Sequence, residues 1–354
     1  MKENSQAAVW PDAERESLAV LTAARLLFNE GQQAKAILFC QATLSRLAGH
    51  PEVVHHLRAL IARTVPTWHF RLLRDAARND AYETALKHAV EPDSFVLEIG
   101  TGTGILSMMA ARAGARRVVT CEVNPAIAQA ARENVAKNGL DDRIEVITKH
   151  SSGLDLRRDL GGERADVLVS EIIGNRVLGE GVLQAHEHAL AELAKPQAKV
   201  IPIRGAVRVA LALDKGFDRF HIEPISGFDL TAFNRLAPNA RMIRPDSEDL
   251  VIKSEPKDLF TFDFACRETT SPARSSVTCT ATGGIVNGIA QWISLALDEA
   301  THYENWPRPG AVSAWMTRFY PFAEPIETKP GEEIVVYGSH DRYDVTVWSR
   351  NHYD

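Results

Sequence analysis

Hydrophobic positions along this chain follow two different periods, and the change of period divides it in three. Over residues 13–64, Leu21, Ala24, Leu27, Ala36, Cys40 and Leu44 recur at spacings of three to four or multiples of them, as in helices with one apolar stripe. Gly31 and the Gly49–Pro51 stretch punctuate the run into three helical segments. Their alternation of small and large packing residues suits either one tetratricopeptide-like unit, about 34 residues long, or a plain helical hairpin. Over residues 92–203, short apolar runs alternate with helical patterns. "SFVLEIG", "RRVVTCEV", "IEVITKH", "ADVLVSEI" and "AKVIPIRG" predict strands, and "GILSMMAARAG" and "PAIAQAARENVAKNG" predict helices. That alternation implies a parallel, doubly wound α/β sheet. Beyond residue 204 the chain predicts strands with few helices: "AVRVALAL", "LFTFDFAC", "SSVTCTAT", "GIAQWISLAL", "AWMTRFYPF" and "EEIVVYGSH". An all-β domain follows, a sandwich or a barrel. The stretch "GFDLTAFNRLAPNARMIRPDSEDL" interrupts it and predicts an arm over residues 228–246. The expected division is 1–65, 66–203 and 204–354.

Composition narrows the function classes. The chain has 354 residues, 45% hydrophobic and 24% charged, with a formal net charge of −6, so a general nucleic-acid partner is not expected. No apolar run approaches the ~20 residues of a membrane span, and the opening "MKENSQAAVWPDAERES" lacks the apolar core of a secretion signal. Cys40, Cys121, Cys266 and Cys279 are far apart and form no CxxC pair, so neither a zinc site nor a disulfide framework is expected. A reducing cytoplasm is the expected compartment.

Two stretches carry chemistry. In "VLEIGTGTG", Val96–Gly104, the glycines Gly100, Gly102 and Gly104 follow a strand and open a helix, which lets backbone N–H groups approach a ligand closely. Glu122 ends the next strand, where an acid would meet ribose hydroxyls. A nicotinamide dinucleotide could use such a unit. The order G-x-G-x-G, with Glu98 two places before the first glycine, argues against it. In "SEIIGNRVLGEG", Ser170–Gly181, Glu171 and Glu180 flank Ile172, Ile173, Val177 and Leu178. Burying two carboxylates among apolar neighbours is costly unless a cation sits between them.

The E-x-G-x-G-x-G run resembles the first motif of class I S-adenosylmethionine (SAM) methyltransferases, and the paired glutamates resemble the double-Glu loop of the protein arginine methyltransferases. The resemblance covers residues ~66–350 and is closest to the monomethylating branch. It implies a Rossmann-like SAM domain, a β-domain with a dimerisation arm, and a homodimer. It implies that Glu98, Gly100, Gly102, Gly104, Glu122 and Ser151 serve the cofactor. It also implies that a helix over His69–Tyr82 covers that cofactor, with His69 near the adenosine, Leu72 where the family has methionine, and Arg78 on the SAM carboxylate. Glu171 and Glu180 would grip an arginine guanidinium, a planar permanent cation with five donors, offset its charge and accept its proton. The family's His-Trp pair in the β-domain matches Ala314 and Trp315, so the histidine is missing and Trp315 is kept beside the substrate. Some relatives, in streptozotocin-type biosynthesis, act on free arginine. The chain shows no extended acidic run to capture Arg/Gly-rich tails, and Arg176 inside the double-Glu loop could receive an α-carboxylate. Arginine in Arg/Gly-rich proteins is the alternative substrate. A non-catalytic regulator is a third reading, weakened by the presence of both glutamates.

Overall fold

The computed structural model describes residues 12–47, 49–216 and 222–352. Residues 1–11 and 48 of the expected first region, and residues 217–221, 353 and 354, lie outside the described residues. The helical start forms α1 (Asp12–Asn29), α2 (Gln33–Arg46) and α3 (Pro51–Ala62). Gly31 turns the chain at φ +72°, and Pro51 opens α3 where its missing N–H costs nothing. Ala24, Cys40, Val53 and Leu57 enclose a small core that belongs to these three helices.

The sequence predicts one helix over His69–Tyr82. The structure corrects this to two, α4 (Trp68–Arg74) and α5 (Ala76–Ala89), broken at Asp75 with ψ 85°. The Asp75 carboxylate accepts the Arg78 backbone N–H at 3.0 Å, so it caps the start of α5 instead of continuing α4.

The expected α/β domain then follows: β1 (Phe95–Ile99), α6 (Ile105–Ala113), β2 (Arg117–Glu122), α7 (Pro125–Lys137), β3 (Ile144–Thr148), β4 (Ala165–Ser170), α8 (Val182–His188) and β5 (Ala194–Ile201). All neighbours are parallel, in the order β3-β2-β1-β4-β5. Every residue of β1 is buried, Glu98 included, as befits a central strand covered on both faces. The order reverses between β1 and β4, so the loops leaving these strands part and open a crevice. The glycine turn and the double-Glu loop are those two loops. Helix α2 lies against α7, which ties the helical region to this domain.

The remaining strands are β6 (Arg204–Asp214), β7 (Arg241–Ile243), β8 (Leu250–Ile252), β9 (Lys257–Asp263), β10 (Ala273–Thr280), β11 (Gly284–Ala296), β12 (His302–Glu304), β13 (Thr317–Thr328), β14 (Glu333–His340) and β15 (Val345–Trp348). They make two antiparallel sheets, one running β7-β13-β11-β6-β8 with β9 on β6 and β12 on β11, the other β10-β14-β15. The sequence reading missed β7, β8, β12 and β15, which are only three or four residues long. The arm is also shorter than expected. A single 3-10 stretch, Thr231–Leu236, projects Phe233 and Leu236, but Arg241 already re-enters the sheet as β7 against β13. Buried Asp214 pairs with Arg241 and anchors the arm's return. One continuous core joins the two domains, with Val177 of the double-Glu loop packed among residues of both. Among the described residues, no helix is long and apolar enough to cross a membrane.

Candidate active site

Gly100, Gly102 and Gly104 all take left-handed backbone angles, φ +86°, +52° and +85°. The close approach at Gly100 excludes any side chain, since an added Cβ would lie 2.6 Å from Ile172 Cγ2 of the double-Glu loop. The two loops of the crevice therefore touch. Glu122, at the end of β2, accepts the Gly102 N–H at 3.1 Å and the Asn124 N–H at 2.9 Å. It holds the glycine turn and Asn124, and Asn124 in turn caps α7. Glu98 accepts from the hydroxyl of Ser107 on α6.

A cavity of about 390 Å³ opens over this turn. His69, Arg78, Glu98, Gly100, Gly102, Glu122 and Ser151 line it, and so do both Glu171 and Glu180. Three expected residues lie elsewhere. Gly104 is spent on the N-terminus of α6, behind the cavity. Arg176 does not line the cavity, because its Nε is held 2.6 Å from Asp344 Oδ1. Trp315 also stands outside it but acts on the loop, donating from Nε1 to Ile173 O at 2.7 Å.

Arg78 Nη2 is 3.0 Å from Glu171 Oε2, in a pair almost wholly buried. The arginine expected on the cofactor side is thus also the partner of a glutamate expected on the substrate side. Arg78 Nε, although buried, has no hydrogen-bond partner. Burial pushes the Glu171 carboxyl up to about 7, with Arg78 pulling it down and Glu180 raising it further. Burial raises Glu98 to about 7 as well. Glu180 is raised by burial and by the charge of Glu122. Glu122 is raised by burial, against its backbone hydrogen bonds. Four carboxyls held above their ordinary range around one cavity make a site that favours cations.

The double-Glu loop is rigidly braced. Bridges Gly174↔Val177 and Arg176↔Leu178 fold it back on itself, and Val177 takes φ +68°, a strained angle for a β-branched residue. The β-domain grips it at Asn175, whose Oδ1 accepts the Met316 N–H at 2.6 Å and whose backbone carbonyl accepts Gln291 Nε2 at 2.8 Å. Behind it, Ser170 Oγ lies 2.7 Å from His186 Nε2, while His186 Nδ1 faces the Phe264 carbonyl at 3.1 Å. Burial lowers the His186 pKa to about 4, so the ring is neutral. A carbonyl can only accept, so Nδ1 carries the proton and Ser170 donates to Nε2.

Sequence reasoning missed several residues. Thr64 and Pro66, between α3 and α4, and Trp68, at the start of α4, line the cavity, and Trp68 stacks on His69 with ring centroids 3.8 Å apart. Lys149, His150 and Asn124 line it too. Asn124-Pro125 is a cap signal that could have marked Asn124. Nothing in the local pattern marks the others, which reach the site through tertiary packing.

A family model described as ribosomal protein L11 methyltransferase (PrmA) matches residues 83–201, which hold the parallel sheet. An arginine N(omega)-methyltransferase of Streptomyces achromogenes subsp. streptozoticus is 38% identical over 77% of this chain and 76% of its own. Protein arginine N-methyltransferase 7 of Oryza sativa subsp. japonica is 33% identical over 68% of this chain, which spans only 37% of that protein. By fold, the chain resembles one in the Trypanosoma brucei PRMT1 enzyme-prozyme heterotetrameric complex with AdoHcy, with TM-score 0.69, 24% identity, and 80% of this chain and 92% of that one covered. It also resembles Arabidopsis thaliana protein arginine methyltransferase 10 in a uniquely open conformation, with TM-score 0.64, 21% identity, and coverage of 76% and 86%. The chain belongs to the SAM-dependent arginine N-methyltransferase family.

Proposed function

We propose that this chain methylates a guanidinium nitrogen of free L-arginine and releases Nω-methyl-L-arginine. The observation that carries the chemistry is that Glu171 and Glu180 line the same cavity as the glycine turn. Two carboxylates that share one cavity call for a cation that cannot lose its charge, and guanidinium is that cation. The cavity also fits SAM, which supplies a methyl group on a cationic sulfur. Glycines without side chains leave backbone room, Glu98 and Glu122 offer acceptors, and Arg78 is the cation within reach of a carboxylate. Glu171 and Glu180 orient the guanidinium and accept its proton. Arg78 keeps Glu171 in one rotamer, and the contact of Ile172 with Gly100 sets the distance between the acceptor and cofactor sides.

Free arginine is favoured by the similarity to the Streptomyces enzyme. Arg176, which stands outside the cavity on Asp344, would have to turn its outer nitrogens toward that cavity to meet the second carboxylate that a free amino acid has and a residue in a protein lacks. The chain would work as a homodimer through the exposed apolar arm. Its four free cysteines, three of them buried, suit the cytoplasm. The test is a parallel assay of L-arginine and Arg/Gly-rich peptide by mass spectrometry. Methylated free arginine is expected, with a raised KM in Arg176→Ala. Methylated peptide without methylated free arginine refutes the free-arginine reading.

A further inference from the structure

Asp75 is wholly buried at the break between α4 and α5, and its two oxygens point in different directions. Oδ1 caps α5 through the Arg78 N–H, as described. Oδ2 lies 2.6 Å from the hydroxyl of Tyr303, which is on β12 in the other domain. The same oxygen is 3.3 Å from the Ala314 backbone N–H. The Tyr303 hydroxyl is also 2.8 Å from Ser313 Oγ, which accepts the Trp315 N–H at 3.1 Å.

Each hydroxyl has one hydrogen to give. Tyr303 must give its hydrogen to the carboxylate, so Ser313 donates to Tyr303, and the Trp315 N–H donates to Ser313. The result is a one-way chain of donors, Trp315 to Ser313 to Tyr303 to Asp75, each bond strengthening the next. Each of its ends braces a residue of the site from outside the cavity. Asp75 caps the helix that carries Arg78, the partner of Glu171. Trp315 holds the Ile173 carbonyl two residues beyond Glu171. Tyr303 and Trp315 also pack ring against ring, with centroids 5.4 Å apart. Burial and the neighbouring Asp75 both raise the Tyr303 hydroxyl's pKa, which keeps it a donor at neutral pH.

We propose that Tyr303 is a positioning residue for methyl transfer, fastening the cofactor-covering helices to the substrate loop of the β-domain through Asp75. The methyl side chain of Ala314 can offer Asp75 nothing, so the side-chain donor at this junction comes from β12. The proposal rests on the arginine methyl-transfer reading for its effect on turnover, but not for its effect on cofactor binding.

The test is Tyr303→Phe, which keeps the ring against Trp315 and removes only the hydroxyl. SAM affinity is read by calorimetry, and kcat and KM are read with whichever arginine acceptor the wild type uses. A hydrogen bond to a charged group governs about tenfold or more, so SAM binding weakens by about that factor and kcat falls similarly. KM for the acceptor stays within about twofold, since both glutamates remain. Asp75→Asn then costs less in the Phe background than in the wild type, because its partner is already gone. Wild-type SAM affinity in Tyr303→Phe, or losses that simply multiply in the double variant, overturns the proposal. If the wild type methylates no form of arginine, the functional reading fails alone, and the SAM measurement still decides the role of Tyr303.

Discussion

At the residue scale, the double-Glu site was legible because its logic is electrostatic: two acids within an apolar run demand a cation. What the sequence could not show is that the first cation they meet is internal. Arg78 carries no local signal of a partner ninety-three residues away. The pair makes the two glutamates behave differently. Glu180→Gln should cut methyl transfer by orders of magnitude and leave SAM affinity near wild type. Glu171→Gln should cut it equally but also weaken SAM binding, because Arg78 loses its counter-charge on the wall of the cofactor cavity. Equal SAM affinity in both variants, measured by calorimetry, would contradict the shared role of Arg78. The raised carboxyl makes binding depend on pH with a definite sign. Glu171 titrates near 7 with its site free of ligand, and a bound guanidinium lowers that value. Arginine binding near pH 6.5 should therefore release protons, and affinity should rise with pH up to about 7 and then level off. Calorimetry in buffers of different ionisation enthalpy reads the release directly, and none would argue against arginine contacting Glu171.

At the element scale, long regular segments were legible and junctions were not. The five strands of the parallel sheet and the two glycine-flanked helices follow from period alone. The break at Asp75 did not, because "RLLRDAARNDAY" keeps helical spacing across it, and only the cap geometry and the bond from Tyr303 reveal that Asp75 serves two elements. The short strands β7, β8, β12 and β15 are set by their neighbours, not by their own pattern. The glycine turn shows how tightly the elements meet. Gly100→Ala would force a Cβ against Ile172 and hold alanine at a left-handed φ, so it should lower both Tm and SAM affinity. Adding Ile172→Ala should recover only part of the loss, since the backbone strain stays. Full recovery would show that the clash alone mattered.

At the scale of the whole molecule, the three-part organisation was visible in the change of period, while the exposed apolar stretch proposed to pair two copies was visible only as an interruption. The arm exposes Phe228, Phe233 and Leu236 at 69%, 61% and 71% of their surface, a cluster of large apolar side chains that a second copy could cover. Light scattering at micromolar concentration should report a dimer, and Phe233→Glu should shift it toward monomer without loss of SAM binding. A monomeric wild type would remove the arm's proposed purpose. Arg78 has a wider consequence, because one guanidinium touches Glu171 and lines the cofactor cavity. With cofactor and arginine bound there as proposed, the two ligands would not be independent. Any factor by which bound cofactor changes the affinity for arginine must equal the factor by which arginine changes the affinity for cofactor. On the proposed binding of both ligands at this cavity, a single side chain would carry heterotropic coupling, and its strength could be read from either ligand.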